Sequence, residues 1–514
     1  VNLQEDYWFW KLAHYFISEQ NYRIVQLAEQ HQELWLERME NKEAQVIRLL
    51  KYNLDWSNWM QKDIEHTAMN GERIRKQLMR SDMNVINLYI SAYPPVDDYE
   101  FRIEKSFILA DKEKTKVTSI IFDRSHYEGS LIKLNSIFQG IHSISINSED
   151  YTERNIEELK LAALSEASNR HKKEQALFQY GKPFFTYIFI IIQVAMFLLL
   201  EWKGGSTNTS TLIEYGAKFN PLILEGEWWR FFTPIILHIG LLHLLMNTLA
   251  LYYLGTTVER IYGNARFLFI YLLAGFFGSL LSFVFSPNLS AGASGAIFGC
   301  IGALLYFGVI YPKLFFRTMG LNIIVILGIN LVFGFTMPSI DNAGHIGGLI
   351  GGFLATGIVH FPKKKRLLIQ GASIIIATVS IVGLLKYGFN EPSRVVNEHS
   401  ILVLSQEYMK TEEYDKVVTI LQNYADENSA SAEVYFRLSF AEIKTNEIQK
   451  AKEHLHLAIE KRKDFHEAYF YLALLYAQEG DLIEAHKFAS IAAELMPDQQ
   501  DYQKLLQQIN EHVK

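Results

Sequence analysis

Cysteine is nearly absent: one residue, Cys300, in a chain of 514. A lone cysteine excludes an internal disulfide and any cysteine-built zinc cluster. Its position inside an apolar run makes it a packing residue rather than a reactive thiol. There is no long basic block either, and the formal net charge is -7, so a nucleic-acid partner is not expected. The segment Val1-Asn-Leu-Gln-Glu-Asp6 has none of the basic and apolar regions of a secretory signal. The first apolar helix further on is therefore expected to serve as the targeting signal.

What the chain has in quantity is apolar surface, unevenly spread. Hydrophobic residues make up 49% and aromatic ones 13%. Such values lie between a soluble enzyme and a pure membrane protein, which a mosaic explains: soluble parts around a very apolar middle. The length accommodates about three domains at roughly 150 residues each.

Residues 1–178 are charged and mixed in pattern, and read as a soluble α/β domain with a helical stalk. Helical periodicity covers Asp6 to Gln30 and Trp56 to Met79, the latter with Trp56, Trp59, Ile64 and Met69 as its expected buried stripe. β-rich runs follow at Val85 to Ile90, Ser106 to Ala110, Val117 to Phe122 and Ile141 to Ile146. A long polar helix, Thr152 to Gln179, leads on to the apolar region. The histidines here, His14, His31, His66, His126 and His142, show no tight ligand spacing. No metal or cofactor is expected.

Between residues 179 and 390, apolar runs of about 18 to 22 residues recur, the length that crosses a hydrocarbon core of roughly 30 Å. They lie near 184–201, 235–256, 267–286, 292–311, 320–337, 343–361 and 367–387, seven spans in all. Lysine and arginine gather in loops that stay cytoplasmic. Here Arg170, Lys172, Lys173 and Lys182 precede the first span, and Arg260 and Arg266 separate the second from the third. Lys313 and Arg317 follow the fourth; Lys363, Lys364, Lys365 and Arg366 follow the sixth. The loops around Pro287 and Pro338 have neither residue type. That asymmetry places the N-terminal domain in the cytoplasm, and an odd number of spans then places the C-terminal domain outside, in a multi-pass cell-membrane protein.

Residues 391–514 are repetitive. Tyr435, Leu438, Ala451 and Ala458 recur 34 positions later as Tyr469, Leu472, Ala485 and Ala492, and Tyr476, Gly480 and Pro497 complete the second copy. A weaker earlier copy runs through Leu404, Tyr408, Val417 and Leu421. The pattern resembles the tetratricopeptide repeat, whose paired helices pack small alanines against aromatic knobs. Stacked pairs form a groove for protein partners. The expected fold class is thus predominantly α: a polytopic helical membrane bundle, an N-terminal soluble α/β domain and a C-terminal tetratricopeptide-repeat α-solenoid.

Two stretches carry the chemistry. Ala291-Gly-Ala-Ser-Gly-Ala-Ile-Phe-Gly299 places Ser294 at the entrance to the fourth span, and Asn342-Ala-Gly-His-Ile-Gly-Gly-Leu-Ile-Gly-Gly352 places His345 at the start of the sixth. An ionisable residue inside a bilayer is expensive and is kept for function. Both residues fall at the outer ends of their helices, at similar depth. A neutral imidazole within reach accepts the proton of a serine hydroxyl and makes it nucleophilic. Gly295 and Gly299 on one helix, and Gly344, Gly348 and Gly352 on the other, recur every four residues, a spacing that lets backbones approach. No acidic third member is evident, since Asp341 stands in the loop before the sixth span, and a Ser-His dyad is expected. Phe298, one turn past Ser294, is placed to stack on the imidazole. On the second span His243 and Asn247 share one face near the same outer end. With the Ser294 backbone N–H they are candidate donors to the oxyanion of acyl transfer. His238, nearer the surface, reads as an interfacial or water-attracting residue.

Gly292-Ala-Ser294-Gly295, His243 with Asn247, and His345-x-x-Gly348-x-x-x-Gly352 together resemble the rhomboid family of intramembrane serine proteases, over roughly residues 184–361. Glu227-Trp-Trp229-Arg230 ahead of the second span, and Gly255 with Glu259 at its end, are further matches. The resemblance implies a six-helix core with a seventh helix appended. It implies Ser294 as nucleophile, His345 as general base, and His243, Asn247 and the Ser294 amide as oxyanion stabilisers. Phe298 stands where many bacterial members carry tyrosine. The loop of residues 203–233 is implied to lie sideways in the membrane, with Trp228 and Trp229 as interfacial anchors and Arg230 tying the loop internally. The fifth helix and Phe333 to Pro338 are the implied gate. Expected partners are the lipid bilayer, transmembrane substrates weakened by glycine or proline with a small residue at the cut, and proteins held by the repeats. One rival reading is a non-catalytic rhomboid-like client-binding or adaptor protein, which has no chemical need for both Ser294 and His345. Another is a transporter, whose polar groups line a path across rather than gather at one depth.

Overall fold

The computed structural model describes residues 3–28, 32–77, 80–109, 114–138, 150–337 and 340–513. It divides into two compact units, Val1–Leu177 and Phe178–Lys514.

The first unit is a mixed sheet between helical layers. Its strands are β1 (Arg23–Ala28), β2 (Glu33–Glu37), β3 (Val46–Lys51), β4 (Met83–Ile90), β5 (Phe107–Ile108) and β6 (Thr115–Phe122), in the spatial order β1-β2-β3-β4-β6-β5. β3, β4 and β6 run parallel, whereas β1/β2, β2/β3 and β5/β6 pair antiparallel. The longer helices are α1 (Leu3–His14), α2 (Ser57–Gln77), α3 (Tyr127–Ile137) and α4 (Glu153–Phe178). One face of the sheet packs around Trp8, Phe16, Leu88 and Phe122 under α1, α3 and α4. The other packs around Met60, Ile64, Ala68 and Val85 under α2. Strands covered on both faces are nearly continuous in apolar residues, as β3 is except for Arg48 and the terminal Lys51. Arg48 is 5% exposed and is satisfied by Asp63 at 2.6 and 3.1 Å and by Glu33, as a buried charge requires.

Several local expectations need correction. The first helix does not continue to Gln30: Asn21 takes a left-handed conformation (φ 58°) and the chain enters β1 at Arg23. On α2 Ile64 is buried, but Trp59 and Met69 are 36% and 52% exposed, and Trp56, just ahead of the helix, is 61% exposed. The stripe that follows the helical period is Met60, Ile64, Thr67 and Ala68, while Trp59 stacks on Tyr52 outside it. The strand expected at Ser106–Ala110 is limited to Phe107–Ile108, and the one expected at Ile141–Ile146 lies outside the described residues.

Among the described residues, the second unit contains seven apolar helices: α5 (Phe185–Lys203), α6 (Leu241–Tyr262), α7 (Asn264–Phe285), α8 (Ser294–Ile310), α9 (Pro312–Thr336), α10 (Asn342–Val359) and α11 (Leu367–Asn390). Six are long and apolar enough to cross a membrane, and α8 has 17 residues because it begins only at Ser294. The second span starts at Leu241 rather than 235, since Thr233–Ile236 form a tight turn and Gly240 (φ 77°) reverses the chain ahead of the helix. A Cβ at Gly348 would overlap the Gly295 carbonyl, and one at Gly352 the Gly299 carbonyl. The glycine spacing therefore brings α8 and α10 into backbone contact. At the far end of α6, fully buried Glu259 accepts from the N–H groups of Phe185 (2.9 Å) and Thr186 (3.0 Å) and from the Thr186 hydroxyl (2.7 Å). It satisfies donors that the start of α5 leaves unpaired.

After α11 come three helix pairs, α12 (Glu398–Lys410) with α13 (Tyr414–Glu427), α14 (Ala432–Lys444) with α15 (Ile448–Lys461), and α16 (His466–Glu479) with α17 (Leu482–Leu495), closed by α18 (Gln500–Val513). The repeated positions are the core: Leu438, Ala451 and Ala458, and their counterparts Leu472, Ala485 and Ala492, have no exposed surface. Leu404, Tyr408, Val417 and Leu421 of the weaker copy are buried too. Ile401, Leu404 and Tyr408 share their core with Ile213, Phe219 and Leu222, from two short helices and the residue ahead of the second in the loop between α5 and α6, and Leu289 packs against it. The repeats are thus joined to the membrane domain by a hydrophobic interface as well as by the chain.

Candidate active site

Ser294 opens α8 and His345 lies in the first turn of α10. Although distant in sequence, their side chains meet: His345 Nε2 and Ser294 Oγ are 2.8 Å apart. The start of α10 is set by Asp341, whose carboxylate accepts from the Gly344 N–H at 2.9 Å and from the Ser282 hydroxyl of α7. This N-cap also ties α10 to α7. Phe298 stacks on the imidazole, with ring centroids 4.2 Å apart and planes at 11°. The hydrogen bond orients Nε2 and the stack holds the ring plane. His345 Nδ1 has no hydrogen-bond partner among the described residues, so Asp341 caps the helix rather than bonding the imidazole.

His243 and Asn247 face the same region from α6. Asn247 is buried, and its amide donates to the His243 carbonyl at 3.0 Å, leaving its second N–H for another acceptor. A Cβ built at Gly292 would stand 3.0 Å from His243 Nε2 and 3.8 Å from Ser294 Oγ. Glycine at this position, with φ 153°, therefore keeps open a space between the two side chains, the kind of space a reacting carbonyl needs.

The loop between α5 and α6 closes on itself through Arg230. Buried, it donates to the carbonyls of Ile213 (2.8 Å) and Ala217 (2.9 Å) and pairs with Glu227. Trp228 and Trp229 are each about half exposed, as interfacial residues are, and Trp228 stacks on Phe389 of α11. His238 departs from expectation. It has no exposed surface; its ring edge meets His243 with centroids 5.3 Å apart, and Nε2 accepts from the Ala293 N–H at 3.5 Å. The turn at Pro234 folds it inward, and burial pushes its pKa down to about 3, leaving a neutral acceptor. Lys218 and Asn220, two fully buried polar residues of this loop, escaped the sequence reading, because their partners are backbone carbonyls that no side-chain motif announces. No group of three or more His, Cys, Asp or Glu able to hold a metal occurs among the described residues.

Membrane-length helices enclosing a serine hydroxyl bonded to an imidazole define the class of intramembrane serine hydrolases. The family model for the Rhomboid domain matches residues 225–362, and the chain belongs to the rhomboid family of intramembrane serine proteases. It is 42% identical over 513 residues to the rhomboid protease GluP of Bacillus subtilis (strain 168), covering 98% of each chain. To the putative rhomboid protease YdcA of the same organism it is 35% identical over 150 residues, covering 29% of this chain and 75% of that one. A crystal structure of MamA aligns with 26% of this chain and 82% of its own at 20% identity and a TM-score of 0.23.

Proposed function

We propose that this rhomboid protease hydrolyses peptide bonds in or beside transmembrane segments of membrane proteins with Ser294 as nucleophile and His345 as general base. The observation that carries this reading is the 2.8 Å bond between the two side chains. As Oγ attacks the scissile carbonyl carbon, its proton passes to His345 Nε2. The oxyanion that forms takes hydrogen bonds from His243, Asn247 and the Ser294 N–H. Collapse returns the proton to the leaving amine and leaves an acyl-enzyme, which water, deprotonated by His345, then hydrolyses. Gly292, Gly295, Gly348 and Gly352 give the site its close backbone packing, Phe298 orients the base, and Trp229 and Arg230 shape the neighbouring loop. An intact helix hides its carbonyls in hydrogen bonds, so the preferred substrates are segments weakened by glycine or proline.

In this reading residues 1–178 are the cytoplasmic domain, 179–390 the seven-span membrane domain and 391–514 the extracytoplasmic repeats. Two observations support the orientation. The repeats pack on the α5–α6 loop and on Leu289, close in sequence to Ser294. Basic residues tie other helix ends together: Arg266, at the start of α7, donates to the Val359 carbonyl at the end of α10 (3.3 Å), and Lys364, after α10, lies over the ring of Tyr311, which follows α8. Purified protein and a transmembrane test substrate decide the catalytic roles. Ser294→Ala and His345→Ala are each expected to abolish cleavage, and cleavage that survives either change removes that residue from the mechanism.

A further inference from the structure

Lys218 lies in the loop between α5 and α6 with no exposed surface. A buried ammonium is costly unless its N–H groups find acceptors. Here it donates to the carbonyls of Ser286 (2.7 Å) and Asn288 (2.8 Å), both in the loop that leads from α7 to Ser294. The Lys218 backbone grips the same loop: its N–H donates to the Ser290 carbonyl at 2.8 Å, and the Ser290 N–H donates back at 2.9 Å. Two residues on, fully buried Asn220 donates to the carbonyls of Phe283 (2.9 Å), Ser286 (3.2 Å) and Val395.

The attachments continue toward the site. The Gly292 N–H donates to the Pro234 carbonyl at 3.0 Å, and the Ala293 N–H to His238 Nε2 at 3.5 Å. Thus the N–H groups of Ser290, Gly292 and Ala293 are all held by the α5–α6 loop, and the next, that of Ser294, is the one assigned to the oxyanion. Its direction follows from the path of residues 290–293. Misplacement of about 1 Å in such a donor can cost roughly a hundredfold in rate, whereas contacts that bind a substrate helix elsewhere are unaffected.

We propose that the buried ammonium of Lys218 is a positioning group for proteolysis: by gripping the carbonyls of Ser286 and Asn288 it holds the backbone ahead of Ser294 so that the oxyanion donors face the reacting carbonyl. The inference rests on Ser294 being the nucleophile. Lys218 touches neither substrate nor reacting atoms, and acts through the loop. A compact head with three N–H donors suits two converging carbonyls, and methionine matches the stem without offering a donor.

The ammonium is also titratable. Burial, opposed by the attraction of Asp341, lowers its pKa from 10.5 to about 8. The charge that acts on it is Asp341, at the start of α10, and the Arg230–Glu227 pair is held to the carbonyl of its chain neighbour Ala217. Above the folded-state pKa and below the unfolded one, the unfolded chain keeps a proton that the folded chain has lost. Folding stability linked to Lys218 therefore rises with pH in that window, while the grip on the two carbonyls weakens. A purely structural lysine makes activity and stability change together; a positioning lysine separates them.

The test uses the full chain in proteoliposomes with a transmembrane substrate, over about pH 7 to 10. Lys218→Met is expected to lower kcat about 10- to 100-fold near neutral pH, with KM within about threefold. Wild-type kcat is expected to fall through about pH 8 to 9 while the apparent Tm does not, and Lys218→Arg, whose charge persists, is expected to lack that limb. Activity of Lys218→Met within about twofold of wild type, a change confined to KM, or an alkaline limb that survives in Lys218→Arg overturns the proposal. If neither variant folds, wild-type labelling by a fluorophosphonate decides: the rate at Ser294 falls across this range while Tm holds, and a constant or rising rate overturns the inference. Cleavage that persists in Ser294→Ala would instead sink the nucleophile assignment; inactive Ser294→Ala beside unaffected Lys218 variants sinks only this one.

Discussion

At Phe298 an aromatic ring serves the imidazole as an orienting partner, since His345 Nδ1 has no hydrogen-bond partner among the described residues. A stack of this geometry is worth about 0.5–1.5 kcal/mol. Phe298→Ala is therefore expected to lower kcat up to about tenfold with KM nearly unchanged, and Phe298→Tyr to stay within about twofold, in cleavage of a transmembrane test substrate. An unchanged Phe298→Ala would show that the hydrogen bond to Ser294 alone orients the base. That Ser294 and His345 meet was legible in the sequence, because a hydroxyl and an imidazole at the starts of apolar helices have few other ways to be satisfied. His238 was misread and Lys218 missed for a related reason. Their partners are main-chain atoms of a neighbouring loop, and spacing along the chain does not say which main-chain atoms will face a side chain.

Among the elements, α8 and α10 are the pair whose separation the chemistry depends on. Gly348 leaves no room for a side chain against the Gly295 carbonyl, whereas a Cβ at Gly371 of α11 meets nothing within 4 Å. Gly348→Leu is expected to abolish cleavage and to lower the apparent Tm, since overpacking alone costs about 1–3 kcal/mol, and Gly371→Leu to preserve both. Equal tolerance of the two changes would mean that the helices need not touch. The apolar helices were readable from length and hydropathy alone, with the start of α6 displaced by the Pro234 turn. β1, β2 and β3 were not readable: they are five or six residues long, and β3 is buried on both faces, which removes the alternation that marks a half-exposed strand.

On the scale of the whole molecule, composition already separates a charged N-terminal part, an apolar middle and a repetitive C-terminal part. The docking of the repeats on the α5–α6 loop was not legible. Ile213, Phe219, Leu222 and Leu289 are ordinary apolar loop residues until Ile401, Leu404 and Tyr408 cover them. Orientation can be measured directly, because Cys300 is fully buried and leaves little background. A membrane-impermeant maleimide on intact cells is expected to label Asp498→Cys, and to reach Glu43→Cys only after permeabilisation, both positions being exposed. The opposite pattern would invert the topology. Proteolysis by this chain depends on a serine hydroxyl activated by an imidazole from a separate helix, which mass-spectrometric mapping of the protein after reaction with a fluorophosphonate tests most directly. A single adduct on Ser294, strongly reduced in His345→Ala, is the predicted result; an adduct on another serine, or equal labelling of Ser294 without the histidine, would contradict it.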